Sequence, residues 1–197
     1  TNLDLYNNLV HRYVAFLTFA ANYQMHGYDL FGYHAVNVAL HLLNALLVYA
    51  LVVLTLRTPV MERSALAVNR LSMALFASLI FVTHPVQTEA VNWIWQRVTV
   101  LVSFFYLGSV VCYAAARLEE TKAWRRRTLY ALSLISALLA MKTKQNAFTL
   151  PIMITMYELS FFRGSRKARL VRLAPFLLTL LIIPVSYMFV MGFQPEQ

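Results

Sequence analysis

Residues 33–56, YHAVNVALHLLNALLVYALVVLTL, carry no charged side chain. As a helix rising about 1.5 Å per residue, the run covers the roughly 30 Å hydrocarbon thickness of a bilayer. Arg57, Thr58 and Pro59 end it. Within the run His34, Asn37, His41 and Asn44 follow one another at spacings of three, four and three, which puts them in one polar stripe. A stripe of that kind in lipid must face protein or water. The two histidines lie about two turns, roughly 10 Å, apart, too far to share one metal ion unaided. Helix–helix hydrogen bonding is the favoured reading of the stripe, ahead of a ligand site.

The rest of the chain agrees with a membrane setting. Of its 197 residues 60% are hydrophobic and 13% charged, and the mean hydropathy is +0.60, values that fit membrane segments better than a soluble domain. The net charge of +9 does not point to nucleic acid, because the basic residues cluster in short loops between apolar runs. The single cysteine, Cys112, lies inside an apolar run and reads as a packing residue. The chain begins at Thr1 without a signal-like segment, so a processed chain or part of a longer protein is expected.

Taken in order, residues 1–32 read as an extracytoplasmic or interfacial segment, with an interfacial or re-entrant helix over Val10–Met25. Residues 33–197 read as a multi-spanning helical domain. Its further spans are expected at about Leu66–Thr83, Val98–Ala116, Thr128–Met141, Ala147–Phe162 and Leu173–Met191, the last bent by Pro184. The expected class is an all-α integral membrane protein with about six transmembrane helices plus the interfacial helix. Loops 57–70, 117–127 and 163–172 are basic and fall on one side, which makes that side cytoplasmic. The amino-terminal segment, residues 84–97 and the turn 142–146 then share the extracytoplasmic side.

Residues 84–97, HPVQTEAVNWIWQR, form a polar island between two apolar runs. Read as a helix from Pro85, the island puts Glu89, Asn92 and Gln96 on one face. A partly desolvated Glu89 could act as a general base, or it could pair with Arg97 or Lys144 and fix helix packing. Lys142, Lys144, Arg97 and Arg12 are cations that the positive-inside rule does not explain. For Lys144 with Arg97 an anionic group such as a lipid phosphate is the favoured reading; Lys142 is read as snorkelling to headgroups. No phosphate-binding glycine loop, dinucleotide turn, metal-spaced Cys/His cluster or serine elbow is present in the sequence.

Three segments carry a resemblance. Phe31–Asn44, His84–Val91 followed by Gln96-Arg97, and Thr143–Pro151 with Tyr157-Glu158 resemble, in that order, motifs of bacterial multi-spanning membrane glycosyltransferases. Those enzymes are similar to the transmembrane O-mannosyltransferases with tetratricopeptide repeats. The resemblance implies a GT-C-type fold and a polyprenyl- or dolichyl-phosphate sugar donor in place of a cofactor. It further implies a protein hydroxyl outside the cytoplasm as acceptor; the expected location is the bacterial inner membrane, with an endoplasmic-reticulum-like membrane as the alternative. A carboxylate would deprotonate the acceptor while cations stabilise the departing phosphate. In the family the presumed catalytic acid sits on an aspartate-bearing loop ahead of the segment seen here. On this chain Glu89 is the candidate catalytic carboxylate, orienting or deprotonating the acceptor where those aspartates are lacking and otherwise supporting the site. Arg97 and Lys144 would hold phosphate, His84 and Gln96 would contact sugar or phosphate, and Arg12 is a further substrate-binding cation on the same side.

This sequence departs from the family pattern. Gln145 stands where the family usually has Glu, and the family's first helix, aspartate-bearing loop and carboxyl-terminal repeats are not in the chain. The alternative expectation is therefore a non-catalytic subunit of a larger membrane complex, built on a degenerate glycosyltransferase fold with partner membrane subunits. A transporter built on the His34/His41 stripe is disfavoured, since no inverted-repeat halves are evident.

Overall fold

The structure, a computed structural model, describes residues 2–182, with side chains from Arg12 onward. Among these residues every regular element is helical. The described residues form nine α-helices in order: α1 Asn2–His26, α2 Leu30–Thr55, α3 Ala65–Val68, α4 Arg70–Thr83, α5 Gln87–Asn92, α6 Arg97–Leu118, α7 Ala123–Met141, α8 Leu150–Phe161 and α9 Arg166–Thr179. Short 3₁₀ turns at Ile94–Gln96 and Gln145–Thr149 lead into α6 and α8.

The boundaries have local causes. Asp29 caps α2 by accepting from the Phe31 amide at 3.1 Å, and Ser165 caps α9 through the Ala168 amide at 3.3 Å. His84 is extended (φ −64°, ψ 129°) because Pro85 follows it, and α4 ends there. Gly27 takes φ +56° in the turn between α1 and α2, a conformation a Cβ would penalise. Gly32 is needed for space instead. A Cβ there would sit 2.5 Å from Cγ of His26, so its absence lets α1 fold back onto α2.

α6 is the organising helix, packed along α7 on one side and α2 on the other, with α4 beyond α2. The α6–α7 seam carries Ser109 and Ser133, both fully buried, each donating its hydroxyl to the other's carbonyl at 2.8 and 2.7 Å. Small polar residues at such a seam let backbones approach closely while satisfying their own hydrogen bonds. Below it, Tyr113, Ala137, Ile154 and Phe176 form the main apolar core.

Among the described residues two helical stretches are long and apolar enough to cross a membrane: α2, and the run Ile94–Leu118 that contains α6. Only 17% of the most apolar part of α2 is buried inside the protein, at a mean hydropathy of 2.2. Apolar side chains such as Leu42, Leu46, Leu75, Phe76 and Leu79 face outward, so an apolar medium is the surrounding that fits them.

The six expected spans meet the structure unevenly. α2 and α6 lie where they were expected, within three residues. The stretch expected at Leu66–Thr83 is split at Asn69 into α3 and α4, and α4 has 14 residues. α7 begins at Ala123, inside the expected charged loop, so its first turns carry Arg125, Arg126 and Arg127. α8 has 12 residues because the segment after Lys144 winds first as 3₁₀. The expected loop 163–172 is largely helix, since Ser165 caps a helix from Arg166. α1 extends beyond Val10–Met25 and kinks at Arg12 (φ −132°, ψ 25°). The stretch of the last span beyond Ile182, with Pro184, lies outside the described residues.

Candidate functional site

At the amino-terminal end of α6 a cleft of about 410 Å³ opens between that helix and the 3₁₀ turn before α8. Its polar lining is Thr99, Ser103, Tyr106, Lys144, Asn146 and Thr149. Thr99, Ser103 and Tyr106 stand at i, i+4 and i+7 on α6 and so share one face. Lys144 donates from Nζ to Thr99 Oγ1 at 2.9 Å. Thr99 in turn donates its hydroxyl hydrogen to Gln96 Oε1 at 2.8 Å. The Thr99 hydrogen is thus committed, its lone pair receives Lys144, and the ammonium has further N–H groups to offer a ligand. Tyr106 and Thr149 hydroxyls meet at 3.4 Å across the same cleft. One fixed cation among hydroxyls and an amide is a set that receives an anion's oxygens.

The expected single face of the 84–97 island does not form. α5 ends at Asn92, and Trp93 is extended (φ −94°, ψ 117°), so Gln96 belongs to the turn entering α6 and not to the face of Glu89 and Asn92. The pattern reading assumed a continuous helix, and the extended backbone at Trp93 with the 3₁₀ turn Ile94–Gln96 after it interrupts that helix. Trp95 stacks on Phe19 of α1 at 6.0 Å and 9°, which anchors the interruption.

Arg97 is the largest departure from expectation. It is fully buried and does not reach the cleft. Nε donates to Asn37 Oδ1 at 3.0 Å, Nη2 to Asn22 Oδ1 at 2.8 Å and to the Tyr33 carbonyl at 2.9 Å, and Nη1 to the Thr18 carbonyl at 3.3 Å. Phe19 and Tyr33 lie over its guanidinium at 4.6 and 5.3 Å from the ring centroids. Arg97 ties α1, α2 and α6 together, and its partners are neutral.

The stripe on α2 has the same structural use. Asn37 also donates to the Trp93 carbonyl at 3.3 Å. His41 donates from Nε2 to the Val82 carbonyl at 3.3 Å and stacks on Phe81. Asn44 donates to the Val100 carbonyl at 3.0 Å. His34, half-buried, lies one turn before Asn37. The stripe therefore satisfies carbonyls where α4 ends and α6 begins, which pins both ends of the island.

The remaining expected residues sit apart from Arg97. Glu89 is exposed and forms no ion pair among the described residues; neither Arg97 nor Lys144 touches it. His84 is exposed, its Nδ1 accepting from the Val86 amide at 3.2 Å. Arg12 stands, half-buried, at the kink of α1. The structure brings Gln96 and Lys144 together through Thr99, and gives Arg97 to the scaffold.

Sequence reasoning passed over Thr99, Ser103 and Tyr106, although their i, i+4, i+7 spacing was a signal. It also gave no role to Glu158, the lone acid in its apolar run. Fully buried, Glu158 holds Arg117 Nε at 2.8 Å, Arg172 Nη2 at 3.2 Å and the Tyr113 hydroxyl at 3.0 Å.

No family model matches the chain, and no solved structure matches it. Curated relatives do. Protein O-mannosyl-transferase Tmtc3 of Drosophila melanogaster is 33% identical over 160 residues, 76% of this chain and 17% of that protein. Protein O-mannosyl-transferase F38B6.6 of Caenorhabditis elegans is 28% identical over 144 residues, 73% of this chain and 18% of its own length. The human protein O-mannosyl-transferase TMTC4 is 31% identical over 147 residues, 71% of this chain and 19% of its own length. The chain thus spans less than a fifth of each of these relatives, and over most of its own length it resembles a segment of the TMTC protein O-mannosyltransferases.

Proposed function

We propose that this chain is a segment of a membrane glycosyltransferase of GT-C type. It moves a sugar, mannose by analogy with the relatives, from a polyprenyl-phosphate donor to a protein hydroxyl on the extracytoplasmic face. The observation that carries this reading is the Lys144–Thr99–Gln96 relay in a hydroxyl-lined cleft, which joins two of the three family-like segments. Lys144 would receive the donor phosphate and neutralise the charge that develops on it as the sugar leaves. Thr99, Ser103 and Tyr106 would supply further hydrogen bonds to phosphate or sugar.

Glu89, exposed and without an ion-pair partner among the described residues, would take the acceptor's proton, with His84 of the same island and Arg12 of α1 in supporting roles. Arg97 serves by holding α1 and α2 against the start of α6, which fixes Gln96 one residue away. The test is sugar transfer from polyprenyl-phosphate-linked mannose by the full-length protein. Lys144→Ala should raise the donor KM or lower kcat/KM about 10–100-fold, the value of a lost charge-assisted bond. Glu89→Gln should lower kcat by about 10²-fold or more. Wild-type turnover in both variants sinks the reading.

The second reading is a non-catalytic membrane subunit, and the burial of Arg97 favours it, because one of the two expected phosphate ligands is structural. Stoichiometric co-purification with a larger complex, together with no saturable binding of the donor lipid, would select it.

A further inference from the structure

At the opposite end of α6 lies a second cationic cleft, of about 500 Å³, which the proposed transfer reaction does not use. Thr99 and Arg117 are 18 positions apart on one helix, about 27 Å along its axis, so the two clefts belong to opposite ends of the bundle. Arg117 comes from the end of α6, Arg126 and Arg127 from the first turns of α7, and Arg172 from α9. The fold therefore gathers the expected loops 117–127 and 163–172 onto one concavity. Val171 and Pro175 supply an apolar wall beside the guanidiniums.

The charge of this cleft is largely unanswered by protein. Glu158 meets Arg117 and Arg172 from the fully buried side, one carboxylate for two cations. The other neighbouring acid with a described ion pair, Glu119, is held by Arg125 at 3.3 Å and by the Thr121 hydroxyl at 2.7 Å. Arg126 and Arg127 are exposed and have no side-chain partner among the described residues. Arg172 is 30% exposed at its side chain and spends one Nη2 contact on Glu158, which leaves guanidinium N–H groups to face the cleft. Arginine forks arranged around a hollow with one apolar wall match a phosphate oxygen set better than they match a single carboxylate.

We propose that this cleft binds a phosphate-bearing anion at the membrane surface opposite Lys144. Arg126 and Arg127 would make the outer contacts while Arg117 and Arg172, pre-oriented by Glu158, form the floor. Its ligand could be the headgroup of an anionic phospholipid or free phosphate, and the apolar wall favours the lipid, whose first methylenes would lie on Val171 and Pro175.

The experiment measures the thermal midpoint of the detergent-solubilised full-length protein against three additives: short-chain phosphatidylglycerol, short-chain phosphatidylcholine and inorganic phosphate. Wild type should show a saturable upward shift with phosphatidylglycerol and little with phosphatidylcholine. In the double variant Arg126→Gln, Arg127→Gln the apparent affinity should fall about tenfold or more, at a few-fold per arginine. Both positions are exposed, so the unliganded midpoint should stay unchanged; Arg126→Lys, Arg127→Lys should recover part of the affinity. An equal response to inorganic phosphate, lost in the same variant, would assign the site to free phosphate. No saturable shift with either, or a shift that survives the double glutamine variant, overturns the proposal.

Discussion

At the scale of single residues, two basic side chains from different family-like segments take different roles. Arg97 is enclosed, and its donors end on two asparagine oxygens and two carbonyls. Truncation would leave several of those acceptors buried without partners, at about 1–3 kcal/mol each. Arg97→Ala should therefore cost about 3–5 kcal/mol and lower the yield of folded protein, and Arg97→Lys should recover little, since one ammonium cannot span four acceptors. Lys144 is half-buried with one hydroxyl partner, so Lys144→Ala should cost about 1 kcal/mol or less while removing donor binding. Thermal midpoints and donor KM measured on both variants check this; a stability loss for Lys144→Ala equal to that for Arg97→Ala would make the relay structural. Both cations stand out in the sequence because the expected positive-inside pattern does not call for them. That pattern could not separate them, because burial of Arg97 depends on Asn22 and Thr18, far upstream on a helix whose packing angle is set by the turn at Gly27.

At the scale of elements, the long apolar helices were legible because twenty-odd uncharged residues have few alternatives, whereas the short ones were decided by single breaks. Asn69 and Trp93 interrupt helices that periodicity alone would continue, and Ser165 starts one inside a basic stretch. The α1–α2 corner is equally local. His26 packs on Gly32, its Nδ1 accepting from Asn22 Nδ2 at 3.3 Å, and Asn22 is the same residue that receives Arg97. Gly32→Ala must displace the imidazole, and overpacking of this kind costs about 1–3 kcal/mol. A lowered midpoint with normal α2 membrane insertion is the expected outcome, and an unchanged midpoint would mean the corner adjusts freely. In the α6–α7 loop the Glu119 carboxyl is held below the usual carboxylate range, first by the Thr121 hydroxyl and then by backbone amides. A depressed folded pKa contributes stability above the unfolded value of about 4.3 and loses it as pH falls through the folded one. Acidification should thus loosen this loop, and Glu119→Gln should remove that component; proteolysis at Lys122 as a function of pH reads it.

At the scale of the whole molecule, both cation clefts depend on α6. Its 22 residues span about 33 Å, close to a bilayer's hydrocarbon thickness, with the Thr99–Lys144 relay at one end and Arg117 at the other. Buried charge inside that length is either satisfied by neutral groups, as for Arg97, or paired, as for Glu158. Arg126 and Arg127, which have no side-chain partner among the described residues, lie beyond the end of α6, in the first turns of α7. This distribution is what a membrane-crossing helix requires, since an unanswered charge is tolerated only near water. It makes the orientation testable with one reporter. Cys112 is the single cysteine and half-buried, so a Cys112→Ala background can carry new cysteines at exposed Asn146 and exposed Thr121. In sealed vesicles of known sidedness, a membrane-impermeant maleimide should label Asn146→Cys from the extracytoplasmic face only and Thr121→Cys from the cytoplasmic face only. Labelling of both from one side would mean that α6 lies along the membrane or returns within it. In that case the Lys144 cleft and the arginine cleft would share a face, and a donor phosphate could reach either.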